Sequence, residues 1–165
     1  MNMIKVSPRE DPRGTIWDEK GRDQLAGIYV FYDKYTIHGL QFLFYENGSL
    51  VMSNIHGVDN RENFHAIVFD YPSEFLTSIS CSFCHLPSLE SIKFGTNKVS
   101  YGPFGTPSTD AKDFNFQIGN HLLFGGFHGT KNCFGIGSIG VYLKNIPSSM
   151  TNVKNLPVNL EKEED

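Results

Sequence analysis

The sequence is short of cysteine, of clustered basic charge and of long apolar runs, and each shortage removes a class of protein. Three cysteines among 165 residues are an odd number and too few for the disulfide framework of a small secreted scaffold. The segment MNMIKVSPREDPRG meets charge at Lys5, Arg9 and Glu10 before any apolar core of signal-peptide length, so a cytoplasmic, or also nuclear, location is expected. No apolar run is long enough to span a bilayer, and no membrane role is expected. Fourteen Lys and Arg stand against eighteen Asp and Glu, a formal charge of −4. They form no patch of the kind that phosphate backbones require, so no nucleic-acid partner is expected. Residues 161 to 165 hold four acids and one lysine, a net −3, which leaves −1 on the rest of the chain. A neutral or mixed-polarity ligand suits that body.

Helical periodicity is also missing. What the sequence has instead is 14 Phe, 7 Tyr and 16 Gly, a mixture that favours short aromatic strands joined by tight turns. Strands are predicted at Ile28–Tyr32, Leu40–Tyr45, Leu50–Met52, Ala66–Phe69, Leu76–Phe83, Leu89–Phe94, Phe114–Phe116 and Ile139–Leu143. Asn47-Gly48 reads as a hairpin turn between two of them. The length suits one all-β domain over residues 1 to 147, and residues 148 to 165 read as a loose acidic tail.

Three segments share an apolar pattern: Ile37–Phe44, Leu89–Thr96 and Ile136–Leu143. Each has a strand partner upstream, with Ile28 12 residues before Leu40, Ile79 13 before Ile92 and Phe127 12 before Ile139. Three similar hairpins are implied. None could bury an aromatic face alone, so three sheets packed about a pseudo-threefold axis are the economical architecture.

Catalytic and metal motifs are sparse. Cys81 and Cys84 have a two-residue gap, but in a strand they face opposite sides, and only Cys133 and His128 remain as distant ligands for a zinc ion that wants four. No metal or other cofactor is expected. Asp18 with Glu19, or Asp110 with Asp113, are the carboxylate pairs a glycosidase reading would need, yet nothing aligns a water or a sugar between them. A non-enzymatic binding protein is the reading that remains. The loop Gly125–Gly137 fits it, because glycines leave backbone donors uncovered while Thr130, Lys131 and Asn132 bring a hydroxyl, an ammonium and an amide. That chemistry suits a polyol.

Tyr101-Gly102-Pro103-Phe104-Gly105, Phe124-Gly125-Gly126-Phe127-His128-Gly129 and Ser138-Ile139-Gly140-Val141-Tyr142-Leu143 occur in the order seen in jacalin-related plant lectins. Trp17-Asp18-Glu19 and Gly39-Leu40-Gln41-Phe42 resemble the same family, and the likeness covers roughly residues 4 to 146. The resemblance implies a β-prism I fold of three four-stranded Greek-key sheets and a sugar site of the mannose or glucose type. That site would lie at one end of the prism, formed by Gly14, by His85 and Ser88 of the loop 83–88, and by Gly129, Thr130, Lys131, Asn132, Phe134, Gly135 and Gly137. Sugar-binding members carry an aspartate at the position of Gly137, and a Gly-Gly turn where this chain has Asp11-Pro12-Arg13-Gly14. Weakened or altered sugar binding is the implied consequence. The final segments look most like a single-domain subgroup linked to restriction of virus movement. The resemblance therefore implies a mannose-type glycan or a host or viral protein as partner, and a homodimer paired through outer strands.

Overall fold

A computed structural model describes residues 3–7, 13–85, 88–118 and 124–144. The tail expected over residues 148 to 165 lies outside them. The strands in chain order are β1 (Met3–Val6), β2 (Thr15–Lys20), β3 (Gln24–Tyr32), β4 (Ile37–Glu46), β5 (Ser49–Met52), β6 (His56–Gly57) and β7 (Asn63–Val68). They continue with β8 (Leu76–Phe83), β9 (Leu89–Thr96), β10 (Ser100–Gly105), β11 (Lys112–Gln117), β12 (Phe124–Asn132) and β13 (Gly135–Lys144). They form three antiparallel sheets ordered β5-β4-β3-β7, β10-β9-β8-β11 and β1-β13-β12-β2. In each, a long central hairpin is flanked by one edge strand on either side. The first sheet departs from the expected four strands, because the two-residue β6 shares the outer edge of β4 with β5.

The three hairpins are the repeat seen in the sequence, with the register two residues further on than the spacing suggested. Ile28 pairs with Phe42, Ile79 with Phe94 and Phe127 with Val141. These six side chains are fully buried and point at the common axis, where Phe42 and Phe127 stack with ring centroids 4.1 Å apart. Packing three apolar faces on one another satisfies what no single sheet could.

The symmetry extends to irregularities. Near its turn each hairpin has one extra residue on the returning strand. His38 lies between the pairs Phe31–Gly39 and Tyr32–Ile37, Glu90 between Ser82–Ser91 and Phe83–Leu89, and Gly137 between Thr130–Ser138 and Lys131–Ile136. At the other end Ala26, Thr77 and Gly125 are the extra residues, and their carbonyls accept hydrogen bonds from the N–H groups of Phe69, Ile118 and Gly21 at 2.9, 2.7 and 2.8 Å. A β-bulge kinks its strand and re-aims the unpaired residue, so three equivalent bulges present three side-chain positions at one end of the prism. The predicted Asn-Gly hairpin is also present: Asn47 and Gly48 both have positive φ, 50° and 77°, as a type I′ turn demands.

Candidate functional site

The end of interest is where the three hairpins turn. Gly125–Gly137, expected to be a loop, is mostly strand: β12 continues to Asn132, Cys133 and Phe134 make the turn, and β13 begins at Gly135. This correction moves several expected site residues inward. Gly129 and Thr130 are buried within the sheet. A Cβ on Gly129 would lie 2.1 Å from the Ser138 carbonyl oxygen and 2.6 Å from the Trp17 ring, so this glycine exists to seat the indole. Trp17 in turn donates from Nε1 to the Thr130 carbonyl at 3.1 Å and stacks on His56 with centroids 4.6 Å apart. Thr130 Oγ1 and Ser138 Oγ share a hydrogen bond of 2.8 Å. The hydroxyl read as a sugar ligand is thus engaged across the sheet.

The tip is formed by Lys131, Asn132 and Phe134. Lys131 and Phe134 are exposed, Phe134 by 63%. Asn132 Oδ1 accepts from the Phe134 N–H at 2.9 Å, so one backbone donor that the glycine-rich segment was expected to leave uncovered is taken. The turn leans on the neighbouring sheet: Gly135 has φ 144°, and a Cβ there would lie 2.4 Å from the Ile37 carbonyl oxygen. His38, the bulge residue of that sheet, reaches the Phe134 carbonyl through Nδ1 at 3.4 Å and Asp33 Oδ2 through Nε2 at 2.9 Å. Asp33 also accepts from the N–H groups of Tyr35 and Thr36 at 2.7 and 2.8 Å. Burial raises the Asp33 carboxyl, but the Tyr35 N–H and the adjacent His38 outweigh it and hold the group below its usual range.

Thr15 pairs with Lys131, which brings Gly14 and exposed Arg13 beside the turn. The third hairpin contributes His85, exposed, and Ser88, half-buried, whose carbonyl accepts from Cys84 N–H at 3.2 Å. Thus Gly14, His85, Ser88, Lys131, Asn132, Phe134, Gly135 and Gly137 all belong to one end of the molecule. Gly137 is the bulge residue of its sheet, where the equivalent positions carry His38 and Glu90. The Glu90 carboxylate is nearly buried and accepts from Ser108 Oγ at 2.8 Å. Sequence spacing could have found these equivalences from the repeat, since Ile37-His38-Gly39, Leu89-Glu90-Ser91 and Ile136-Gly137-Ser138 align.

The carboxylates considered for a glycosidase have structural partners. Asp18 faces outward and accepts from Tyr142 OH at 2.7 Å. Glu19, 8% exposed, faces inward, contacts His56 Nε2 at 2.7 Å and pairs with Arg22 at 2.9 Å, while Arg22 also pairs with Glu46. Asp113 accepts from Ser82 Oγ. Among the described residues no cluster of three or more His, Cys, Asp or Glu could hold a metal ion, and burial pushes the Cys81 thiol up to about 12. A polar groove of about 350 Å³ lies at the opposite end of the prism. Its lining is largely committed internally: Tyr71 OH bonds Gln24, and Lys144 pairs with Asp23 at 3.1 Å.

The pattern of the jacalin-like lectin domain matches residues 7–142. The chain belongs to the jacalin-like lectin family. Among its relatives, the Arabidopsis thaliana Protein RESTRICTED TEV MOVEMENT 1 is 37% identical over 151 residues, covering 86% of this chain and 87% of that protein. Jacalin-related lectin 2 of the same plant is 30% identical, with coverages of 84% and 82%. The artocarpin–mannopentose complex superposes with a TM-score of 0.75 at 25% identity, over 88% of this chain and 99% of that one. A mannose-specific jacalin-related lectin from Morus nigra, in complex with mannose, gives 0.76 at 26% identity, with coverages of 88% and 96%. The β-prism architecture and the family reading of the sequence are both established by these likenesses, and lectins of this family set the frame for the hairpin end.

Proposed function

We propose that this jacalin-like chain is a non-enzymatic lectin of the mannose or glucose type whose terminal sugar site is weakened, and that it serves plant defence. The observation that carries the reading is Gly137. It occupies the bulge where the resemblance implies an aspartate, so the end retains an ammonium at Lys131, an amide at Asn132 and the exposed ring of Phe134, but loses the two-oxygen acceptor. A charge-assisted hydrogen bond contributes about 1.5–3 kcal/mol, and water competes for hydroxyl groups left without it. The ligand is a mannose-type glycan held with low affinity. Relatives solved with mannose support the ligand class, and the name RESTRICTED TEV MOVEMENT 1 supports a role against virus movement. Cys81 and Cys133 stand outside any disulfide among the described residues, which suits a cytoplasmic or nuclear setting.

A second reading, the lectin fold reused for binding a host or viral protein, draws support from one face of the prism. On the sheet of β3, β4, β5 and β7, Phe64, Val68, Leu50 and Met52 are exposed by 49, 64, 55 and 47%. Contiguous apolar surface of this kind is a common mark of protein contact sites. Titration with mannose, glucose and galactose, followed by calorimetry and amide chemical shifts, separates the two. Saturable shifts at Lys131, Asn132 and Phe134 above about 1 mM sugar support the lectin reading, and silence throughout leaves the protein-binding one.

A further inference from the structure

Three equivalent side chains close the prism at the end away from the hairpin turns. Leu25, Leu76 and Phe124 each precede the extra residue of their own strand, Ala26, Thr77 and Gly125, and all three are buried. Where they meet lies an apolar slot of about 70 Å³ that Pro72 and Phe75 also line. Glu74 stands in its wall, but the carboxylate accepts from the Asp70 N–H, Thr96 Oγ1 and Tyr101 OH at 2.9, 2.7 and 2.9 Å, so it brings no unpaired charge. The slot shares Asp23, Gln24 and Tyr71 with the polar groove of about 350 Å³, so the two form one continuous depression. In the groove Tyr45 and Tyr71 stack with ring centroids 3.8 Å apart. The positions equivalent to Tyr45 in the other two sheets carry Asn97 and Lys144, so the repeat does not require an aromatic ring there.

We propose that this depression is a second ligand site, one for a neutral alkyl glycoside, with the sugar ring in the groove and a short branched alkyl group in the slot. Size selects the alkyl group. An apolar cavity of about 150 Å³ holds a benzene ring, so a slot of about 70 Å³ takes a group the size of isopropyl. Polarity selects the ring. Gln24 Oε1 accepts from the Tyr71 hydroxyl and Asp23 Oδ1 from Lys144 Nζ, but among the described residues Gln24 Nε2, the Asn47 amide, the Tyr45 hydroxyl and Asp23 Oδ2 have no hydrogen-bond partner. Donors and acceptors mixed in this way suit hydroxyl groups, while the tyrosine rings offer an apolar surface to the C–H face of a pyranose. The charges of Asp23 and Lys144, paired at 3.1 Å, cancel, which favours a neutral ligand. A free sugar leaves the slot empty, so mannose alone is not expected to bind here, and the inference holds whether or not the hairpin end takes sugar.

An amide chemical-shift titration of the full chain with isoamyl β-glucoside tests it, beside glucose and isoamyl alcohol as the two halves of that probe. Saturable shifts at Asp23, Gln24, Tyr71, Leu76 and Phe124 with a dissociation constant below about 1 mM are expected. Each half alone is expected to bind there at least about tenfold more weakly, because only the whole molecule buries its alkyl group and bonds its ring. Shifts at Lys131, Asn132 and Phe134 report on the hairpin end separately. Gln24→Glu keeps an acceptor for the Tyr71 hydroxyl but removes the amide donors, and Tyr71→Leu removes the ring. Each is expected to weaken binding at least about fivefold, with circular dichroism to show that the variants are folded. The proposal is overturned by the absence of shifts in the groove, by isoamyl glucoside binding there no more tightly than glucose, or by folded Gln24→Glu or Tyr71→Leu protein that binds it as the natural chain does.

Discussion

Replacing Gly137 by aspartate returns to the hairpin end the one acceptor it lacks. The equivalent bulges of the other two sheets carry side chains, His38 and Glu90, so the bulge conformation itself is open to residues other than glycine. The glycine of this turn with positive φ is Gly135, at 144°, so the substitution avoids the residue whose backbone most needs to lack a Cβ. A carboxylate accepting from sugar hydroxyls contributes about 1.5–3 kcal/mol, which corresponds to roughly a 10- to 150-fold gain in affinity. From a dissociation constant for free mannose weaker than about 1 mM, Gly137→Asp is expected to tighten binding by that same roughly 10- to 150-fold factor. Calorimetry on both proteins reads the gain, and circular dichroism shows that the variant is folded. A folded variant with no increase in affinity would refute the reasoning, because the missing carboxylate would then not be what limits binding. So would mannose binding tighter than about 0.1 mM by the natural chain.

Acid should destabilise the protein through His128, which burial pushes down to about 4 while its Nε2 contacts the Val6 carbonyl at 3.1 Å. The unfolded chain takes up this proton below about pH 6.5 and the folded one only near pH 4, so stability falls as pH drops between those values, by about 3 kcal/mol in all. Urea unfolding at several pH values reads the slope, and His128→Gln should flatten it; an unchanged slope would refute the assignment. Gly129→Ala drives a Cβ into the Ser138 carbonyl and the Trp17 ring and is expected to lower stability by more than about 3 kcal/mol, seen as a thermal midpoint about 10 °C lower. Glu19→Ala removes the partner of His56 and one of the two carboxylates paired with Arg22 and is expected to cost about 3 kcal/mol in urea titrations; a change under about 0.5 kcal/mol would show that the bridge contributes nothing.

Much of the fold could be read in the sequence because its core strands alternate cleanly. Ile28, Val30, Leu40, Phe42 and Phe44 are buried at every second position, and Asn47-Gly48 marks its turn by the chemistry of positive φ. Strand β2 escaped because Glu19 occupies an inward position beside Trp17, so a charge interrupts the apolar period. Of strand β12 the repeat marks only Phe127 as a strand partner, and the segment otherwise reads as loop because glycine usually weakens strands. Here Gly126 and Gly129 sit where the Glu19 carbonyl and the Trp17 ring approach too closely for any side chain. Strands β1, β6 and β10 were not predicted either; β6 is only two residues long, and β10 is interrupted between Tyr101 and Phe104.

The candidate site was less legible for a related reason. A bulge residue obeys no period, so His38, Glu90 and Gly137 differ in type and gave no pattern of their own. Cross-sheet bonds such as Thr130 to Ser138 join groups that composition cannot pair. The family resemblance supplied the place of the end, and the structure then divided its residues into a buried group, Gly129, Thr130, Gly135 and Gly137, and a tip made of Lys131, Asn132 and Phe134.

The most direct test of the weakened sugar site is an amide chemical-shift titration of the unmodified chain with mannose. Shifts at Lys131, Asn132, Phe134 and Gly137 that still grow above about 1 mM sugar are the predicted result. Saturation below about 0.1 mM, or shifts confined to the groove around Asp23, Tyr45 and Tyr71, would contradict it.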